Sequence, residues 1–223
     1  MIMKKKLLGL VSIGQSPRQD YIQAFKPYAP DAEIRVVGAL DGKSRDEIDR
    51  LAQQPTAYPL LTRLTDGDHV EIDLTILAPL VAVKSQELAQ EGAGLVVVMC
   101  TGGFPEVVCD TPVLLPGKML PAVVGALSRT RRVGVVTPTR DQVSAALTKW
   151  KADGFEPIVT WAAPHVHSEI ARAAKEMADP DVEVVVLDCM GHDESYRIEF
   201  ALLCGRPTVL AQSLVARVAG EWI

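Results

Sequence analysis

Two apolar runs in this chain end in the same way. Val96-Val97-Val98-Met99 leads into Cys100-Thr101-Gly102-Gly103, and Val184-Val185-Val186-Leu187-Asp188 leads into Cys189-Met190-Gly191-His192. Consecutive β-branched residues read as buried strands, and the glycines that follow mark a turn. Apolar runs of this kind alternate along the chain with amphipathic stretches, the pattern of parallel sheets covered by helices. Strands are expected at 7–13, 33–40, 95–100, 113–115, 132–137, 157–161, 182–188 and 208–211. Helices are expected at 18–26, 44–53, 76–91, 118–129, 140–153, 167–178, 194–204 and 213–222. Between Leu60 and Leu74 apolar and polar residues alternate around Thr65-Asp66-Gly67, a hairpin signal, because Asp-Gly supports the positive φ of a tight turn.

The cysteine runs belong to a weak internal repeat. LLGLVSIGQSPRQD near the start is echoed by RRVGVVTPTRDQ at 131–142: a strand with one glycine, a loop with proline and hydroxyls, then Arg and Asp opening a helix. The first copy is longer, and the surplus is assigned to an insertion, the hairpin and its neighbouring helix. The expected architecture is therefore α/β with two similar lobes, each a parallel sheet flanked by helices, and a ligand cleft between them. The lobes are placed at 1–117 and 118–223, with the last helix free to pack back on the first lobe.

Composition excludes several alternatives. A formal charge of −5 lacks the clustered Lys and Arg that phosphate binding needs, so nucleic acid is not an expected partner. The basic runs, Lys4-Lys5-Lys6 and Arg129 to Arg132, are short. The start resembles a signal peptide only superficially: the apolar run is short, and no small-residue cleavage site precedes Gln15-Ser16-Pro17. No stretch approaches the roughly 20 apolar residues that span a bilayer, so no membrane association is expected and the cytoplasm is the expected location. The four cysteines, Cys100, Cys109, Cys189 and Cys204, contain no C-x-x-C pair and read as reduced thiols.

In open α/β sheets ligands bind beyond the carboxyl ends of the strands, where both Cys100 and Cys189 fall. Each could simply be a small buried hydrophobe. The repeated setting favours a functional pair: a thiolate as base on one face of a carbon next to a carboxylate or carbonyl, and a thiol as acid on the other. N–H and hydroxyl donors from Thr101, Gly102, Met190 and Gly191 are candidates to hold the enolate, with Gly103 letting the backbone approach a ligand, and backbone N–H groups or His192 are candidates to help form the thiolate. Gln15, Ser16 and Arg18 in the first loop, and Thr137, Thr139 and Arg140 in its echo, are candidate substrate contacts; helix capping explains the hydroxyls equally well. GALDG at 38–42 either lines the cleft or forms an Asp-Gly turn. Cys109 and Cys204 read as core. No metal is expected, since His192 lacks companion ligands at suitable spacing and His165 and His167 read as exposed or capping residues.

The paired V-V-V-x-C loops in repeated lobes resemble the aspartate/glutamate racemase superfamily, with its hydantoin racemases, maleate isomerases and arylmalonate decarboxylases. More narrowly, SIGQSPRQD, GALDG, VVMCTGGFP and VVLDCMGHDE together resemble the AroM family, over nearly the whole chain. The superfamily resemblance implies cofactor-independent chemistry alpha to a carboxyl group, with Cys100 and Cys189 as acid and base, and a homodimer. The chain departs from glutamate racemases where Thr101-Gly102 replaces Asn-Thr, Gly14-Gln15-Ser16 replaces Asp-Ser, and Met190-Gly191-His192 replaces Thr-His. The second loop is closer to the C-x-G of hydantoin racemases. The expected function is a racemase or isomerase acting on a small carboxylate or related carbonyl compound by two-cysteine proton transfer. The alternatives are a lyase or decarboxylase, a single-cysteine nucleophilic enzyme, or a non-catalytic carboxylate-binding protein.

Overall fold

The computed structural model describes residues 6–223. Lys4 and Lys5 of the N-terminal basic run lie outside the described residues. The chain divides into two compact units: unit 1 reaches to Pro116 and includes Val215–Ile223, and unit 2 is Gly117–Leu214.

Unit 1 runs β1 (Leu7–Ser12), α1 (Gln19–Phe25), β2 (Glu33–Gly38), α2 (Arg45–Ala52), β3 (Pro59–Arg63), β4 (His69–Asp73), α3 (Leu74–Gln90), β5 (Ala93–Val98) and β6 (Val113–Leu114). Its sheet has the order β2-β1-β5-β6, and every pairing is parallel. The central strand β1 is buried along its whole length, as is β5 except at Gly94, which is why their sequences are continuous apolar runs rather than alternations. The edge strand β2 alternates. The hairpin β3–β4 is antiparallel, and its turn carries Gly67 at φ 92°, as Asp-Gly requires.

Unit 2 begins within α4 (Pro116–Leu127) and runs β7 (Arg132–Thr137), a 3₁₀ turn (Arg140–Gln142), α5 (Val143–Ala152), β8 (Glu156–Trp161), α6 (His167–Glu176), β9 (Val184–Leu187), α7 (Glu194–Cys204), β10 (Thr208–Leu210) and the start of α8 (Ala211–Trp222). Its sheet order is β8-β7-β9-β10, again all parallel. Both units thus share one topology, with the first strand between the second and third.

The repeat extends to single hydrogen bonds. Ala39 N–H donates to Ser12 O in unit 1, and Ala162 N–H to Thr137 O in unit 2. Met99 N–H donates to Val11 O at 2.8 Å, and Asp188 N–H to Val136 O at 2.9 Å. These bonds mark Met99 and Asp188 as equivalent, and hence Cys100 and Cys189.

Most expected elements form, with shifted ends. The strand expected at 95–100 is Ala93–Val98, and that expected at 182–188 is Val184–Leu187. The paired registers end at Val11 with Val98 and at Val136 with Leu187, followed by single bonds from Met99 N–H and Asp188 N–H, although the apolar sequence continues through Met99. Each cysteine therefore sits two residues beyond its strand. The helix expected to start at Arg140 starts as a 3₁₀ turn, and α3 starts at Leu74 because Asp73 caps it, accepting from Thr75 N–H. Among the described residues no helix is long and apolar enough to cross a membrane.

One close approach sets the position of the hairpin. A Cβ on Gly14 would lie 2.1 Å from Arg63 O, and Gln15 N–H donates to that same carbonyl at 3.0 Å. Gly14→Ala is expected to push the hairpin off the first loop and cost about 1–3 kcal/mol. Urea unfolding checks this; a variant as stable as the parent would show that the approach is not tight.

Candidate functional site

In unit 1 the loop after β5 places Cys100 half-buried between Met99 and Thr101, both buried. Gly102 N–H donates to Cys100 Sγ at 3.3 Å. A Cβ on Gly102 would approach Leu60 at 3.0 Å and Cys100 Sγ at 3.4 Å, so the turn favours glycine. Gly103 N–H donates to the Tyr58 hydroxyl at 3.1 Å. Tyr58 is itself placed by Asp73, whose carboxylate accepts from Thr56 Oγ1 and from the N–H groups of Ala57 and Tyr58. Hydrogen bonds from Thr75 and from these groups, against the opposing effect of burial, hold the Asp73 carboxyl well below the usual carboxylate range.

In unit 2 the loop after β9 repeats this geometry. Cys189 is half-buried between buried Asp188 and Met190, and Gly191 N–H donates to Cys189 Sγ at 3.3 Å. A Cβ on Gly191 would meet Pro164 Cγ at 3.1 Å. Gln212 Nε2 fixes the loop by donating to Met190 O at 2.8 Å. Asp193 ends it as the N-cap of α7, accepting from Ser195 and Tyr196 N–H. None of the four cysteines is in a disulfide. Cys204 is in the core, as expected; Cys109 is half-buried on a loop and donates to Thr111 O at 3.2 Å.

The N–H groups of Gly102 and Gly191, expected either to hold the enolate or to help the thiolate, are directed at sulfur.

Several expected contacts are engaged within the protein. Gln15 bridges the hairpin, accepting from Thr65 N–H at 3.0 Å and from Thr65 Oγ1 at 3.1 Å. Ser16 donates both its N–H and its hydroxyl to Asp41, which also accepts from Gly38 N–H. GALDG is therefore an anchored Asp-Gly turn, with Gly42 at φ 80°. Arg18 is buried, paired with Asp20 at 2.5 Å and stacked on Tyr21 at 3.7 Å. Burial opposes its charge, but Tyr21 and Asp20 outweigh that and raise its pKa. Thr137 donates to Thr139 O and Thr160 O. Arg140 is exposed. Thr139 Oγ1 differs: it is buried and meets no hydrogen-bond partner among the described residues.

His192 is fully buried, and neither ring nitrogen has a hydrogen-bond partner among the described residues. Burial, reinforced by His165 and opposed by Asp193, lowers its pKa to about 4. The neutral ring packs beside Tyr196 at 5.8 Å, with His165 and His167 on the same tyrosine at 5.4 Å each. The expected help to a thiolate is not what this placement offers, because the ring is uncharged near neutrality and makes no bond to sulfur. Among the described residues no three or more His, Cys, Asp or Glu side chains are grouped to hold a metal ion.

The residues that sequence reasoning missed are the supports: Tyr58, Asp73, Lys149, Trp150 and Gln212. Each is distant in sequence from the loop it holds, and no local pattern marks it.

Two units of one parallel topology make a fold that this chain shares with solved racemases, a maleate isomerase and a decarboxylase. Solved structures with it include an arylmalonate decarboxylase, 14% identical with a TM-score of 0.63 over 98% of this chain and 92% of that one. A maleate isomerase from Pseudomonas putida is 14% identical, with a TM-score of 0.63 over 96% of this chain and 89% of that one. A glutamate racemase from Bacillus anthracis is 10% identical, with a TM-score of 0.62 over 97% and 80%. At these identities the likeness is one of fold. The family described as AroM protein matches residues 8–223, and the chain belongs to the AroM family. No curated protein matches it by sequence.

The His192 site has a pH consequence. Between about 4, in the folded chain, and the ordinary 6.5, the unfolded chain binds a proton that the folded one does not. Stability from this group is therefore complete above about 6.5 and is lost as pH falls toward 4, by roughly 3 kcal/mol in all. Urea unfolding of the parent and His192→Leu across this window checks the sign: the difference between them is expected to shift in favour of the leucine variant as pH falls. A pH-independent difference would refute the assignment.

Proposed function

We propose that this AroM-family protein is a cofactor-independent racemase or isomerase that moves a proton at the carbon alpha to a carboxylate or carbonyl. In this reading one of Cys100 and Cys189, as thiolate, takes the alpha proton and becomes a thiol. The electron pair left on carbon delocalises into the carbonyl as an enolate. The other cysteine, as thiol, returns a proton to the opposite face and is left as thiolate, so atoms and charge balance over the cycle. The mechanism requires both sulfurs to address one carbon.

The observation that carries the reading is the matched geometry of the two loops. Each half-buried sulfur accepts an N–H at 3.3 Å from the glycine two residues later, in units of identical strand order. One such turn is a way to pack a cysteine. Two, at equivalent positions beyond the carboxyl ends of parallel strands, support a functional pair. The solved neighbours are named as racemases, a maleate isomerase and an arylmalonate decarboxylase, and these names support a small carboxylate as substrate. Thr139 is assigned to the substrate carboxylate, because its buried hydroxyl meets no protein partner among the described residues.

Deuterium wash-in at the alpha position of small carboxylic acids tests the proposal. Cys100→Ala and Cys189→Ala are each expected to reduce exchange by roughly 10²–10⁴-fold, the usual worth of a positioned acid or base. Exchange that persists in the double variant would refute the two-thiol mechanism. Dependence on one cysteine alone would favour the lyase, decarboxylase or nucleophile reading instead. Thr139→Val is expected to raise KM roughly three- to tenfold with little change in kcat. An unchanged KM would remove Thr139 from the site.

A further inference from the structure

The position before each cysteine is where the two units part. In unit 1 it is Met99, an apolar core residue. In unit 2 it is Asp188, whose Oδ2 accepts from Trp150 Nε1 at 2.8 Å and lies 3.3 Å from Lys149 Nζ. The aspartate and lysine side chains are only 4% and 11% exposed, and Trp150 is fully buried. Both partners come from adjacent positions near the end of α5.

Burying a carboxylate and an ammonium costs several kcal/mol per ion before their attraction is counted. Unit 1 shows that an apolar residue fills the equivalent position, so packing alone does not account for the pair. The other titratable groups around this loop are of a different kind. His192 is neutral near pH 7, Asp193 is tied to the N-terminus of α7, and the Tyr196 ring meets His165 edge-on and His192 at a tilt. Asp188, which holds Lys149 Nζ at 3.3 Å, is the residue immediately before the sulfur-bearing position.

We propose that Lys149 and Asp188 are a positioning pair that sets the ionisation of Cys189 separately from that of Cys100, making the two thiols inequivalent. Neither residue is a catalytic group; they act through the field they impose at the neighbouring cysteine. The consequence for proton transfer, one thiol resting as the preferred acid and the other as the preferred base, rests on the function proposed above.

The signature is a pair of shifts of opposite sign. Iodoacetamide alkylation of the full chain across a pH series, with Cys100 and Cys189 read separately by peptide mass, gives a midpoint for each thiol. Asp188→Asn keeps an acceptor for Trp150 Nε1 and removes the negative charge. It is expected to lower the Cys189 midpoint by about half to one pH unit. Lys149→Met removes the positive charge and is expected to raise it by a smaller amount. Lys149→Met combined with Asp188→Asn is expected to leave the midpoint below the parent value but above that of Asp188→Asn alone, because the carboxylate of the neighbouring residue outweighs the ammonium at Cys189. The Cys100 midpoint stays fixed in all of them.

A merely structural role would move both single variants in the same direction, or both thiols together; either result overturns the proposal, as does the absence of any shift. Should Asp188→Asn fail to fold, Lys149→Met alone decides: an upward shift confined to Cys189 supports the pair, and no shift refutes it. Alkylation needs no substrate, so the outcome is independent of the deuterium experiment. Cysteine-independent exchange would overturn the functional reading and leave this one standing.

Discussion

Each cysteine is placed by a backbone hydrogen bond made one residue earlier. Met99 N–H to Val11 O, and Asp188 N–H to Val136 O, are the last ties between the third strand and the central strand of each sheet. Beyond them the chain has no ladder partner and must turn, and the turn points an N–H back at sulfur. The sheets hold the loops because their central strands are buried and fully paired, leaving little freedom where the ladder ends. A candidate reactive atom supported this way belongs to the rigid part of the protein although it sits on a loop.

What surrounds the two turns differs, and in a consistent sense. The first is supported by an inserted hairpin, through Tyr58 on Gly103 and the hub at Asp73. The second is supported by helices, through Gln212 on Met190 and by Trp150 and Lys149 on Asp188. A repeated fold has thus kept the sulfur geometry and replaced its supports. The nitrogens of His192, which meet no partner among the described residues, add a further difference, since leaving a buried polar group unbonded costs about 1–3 kcal/mol.

Much of this was legible in advance. Valine runs gave the buried strands, Asp66-Gly67 gave the hairpin, and the echo of the first loop gave the repeat, since each is a local pattern with a local cause. Strand ends were less legible: apolar composition continues through Met99, while the strand stops at Val98 because Cys100 N–H turns back to Val98 O instead of extending the ladder. Arg18 shows the same limit at the site. Its place after Ser16-Pro17 suggested a ligand clamp, but Asp20 and Tyr21 occupy the guanidinium.

The sequence by itself determined the α/β class, the two repeats and the two thiols at equivalent positions, because periodicity and repetition are written along the chain. Tertiary structure alone decided which polar groups remain available. Ser16, Thr137 and Thr139 are all small hydroxyl residues at or beyond a strand end, yet Asp41 takes the first, backbone carbonyls take the second, and Thr139 Oγ1 meets no partner among the described residues. The same holds for the ion pair behind Cys189: Lys149 and Asp188 are separated by two strands and a helix in the chain, and only folding brings them to 3.3 Å. A hydrogen-bond or ion-pair partner is a matter of position in space, which a linear pattern does not contain.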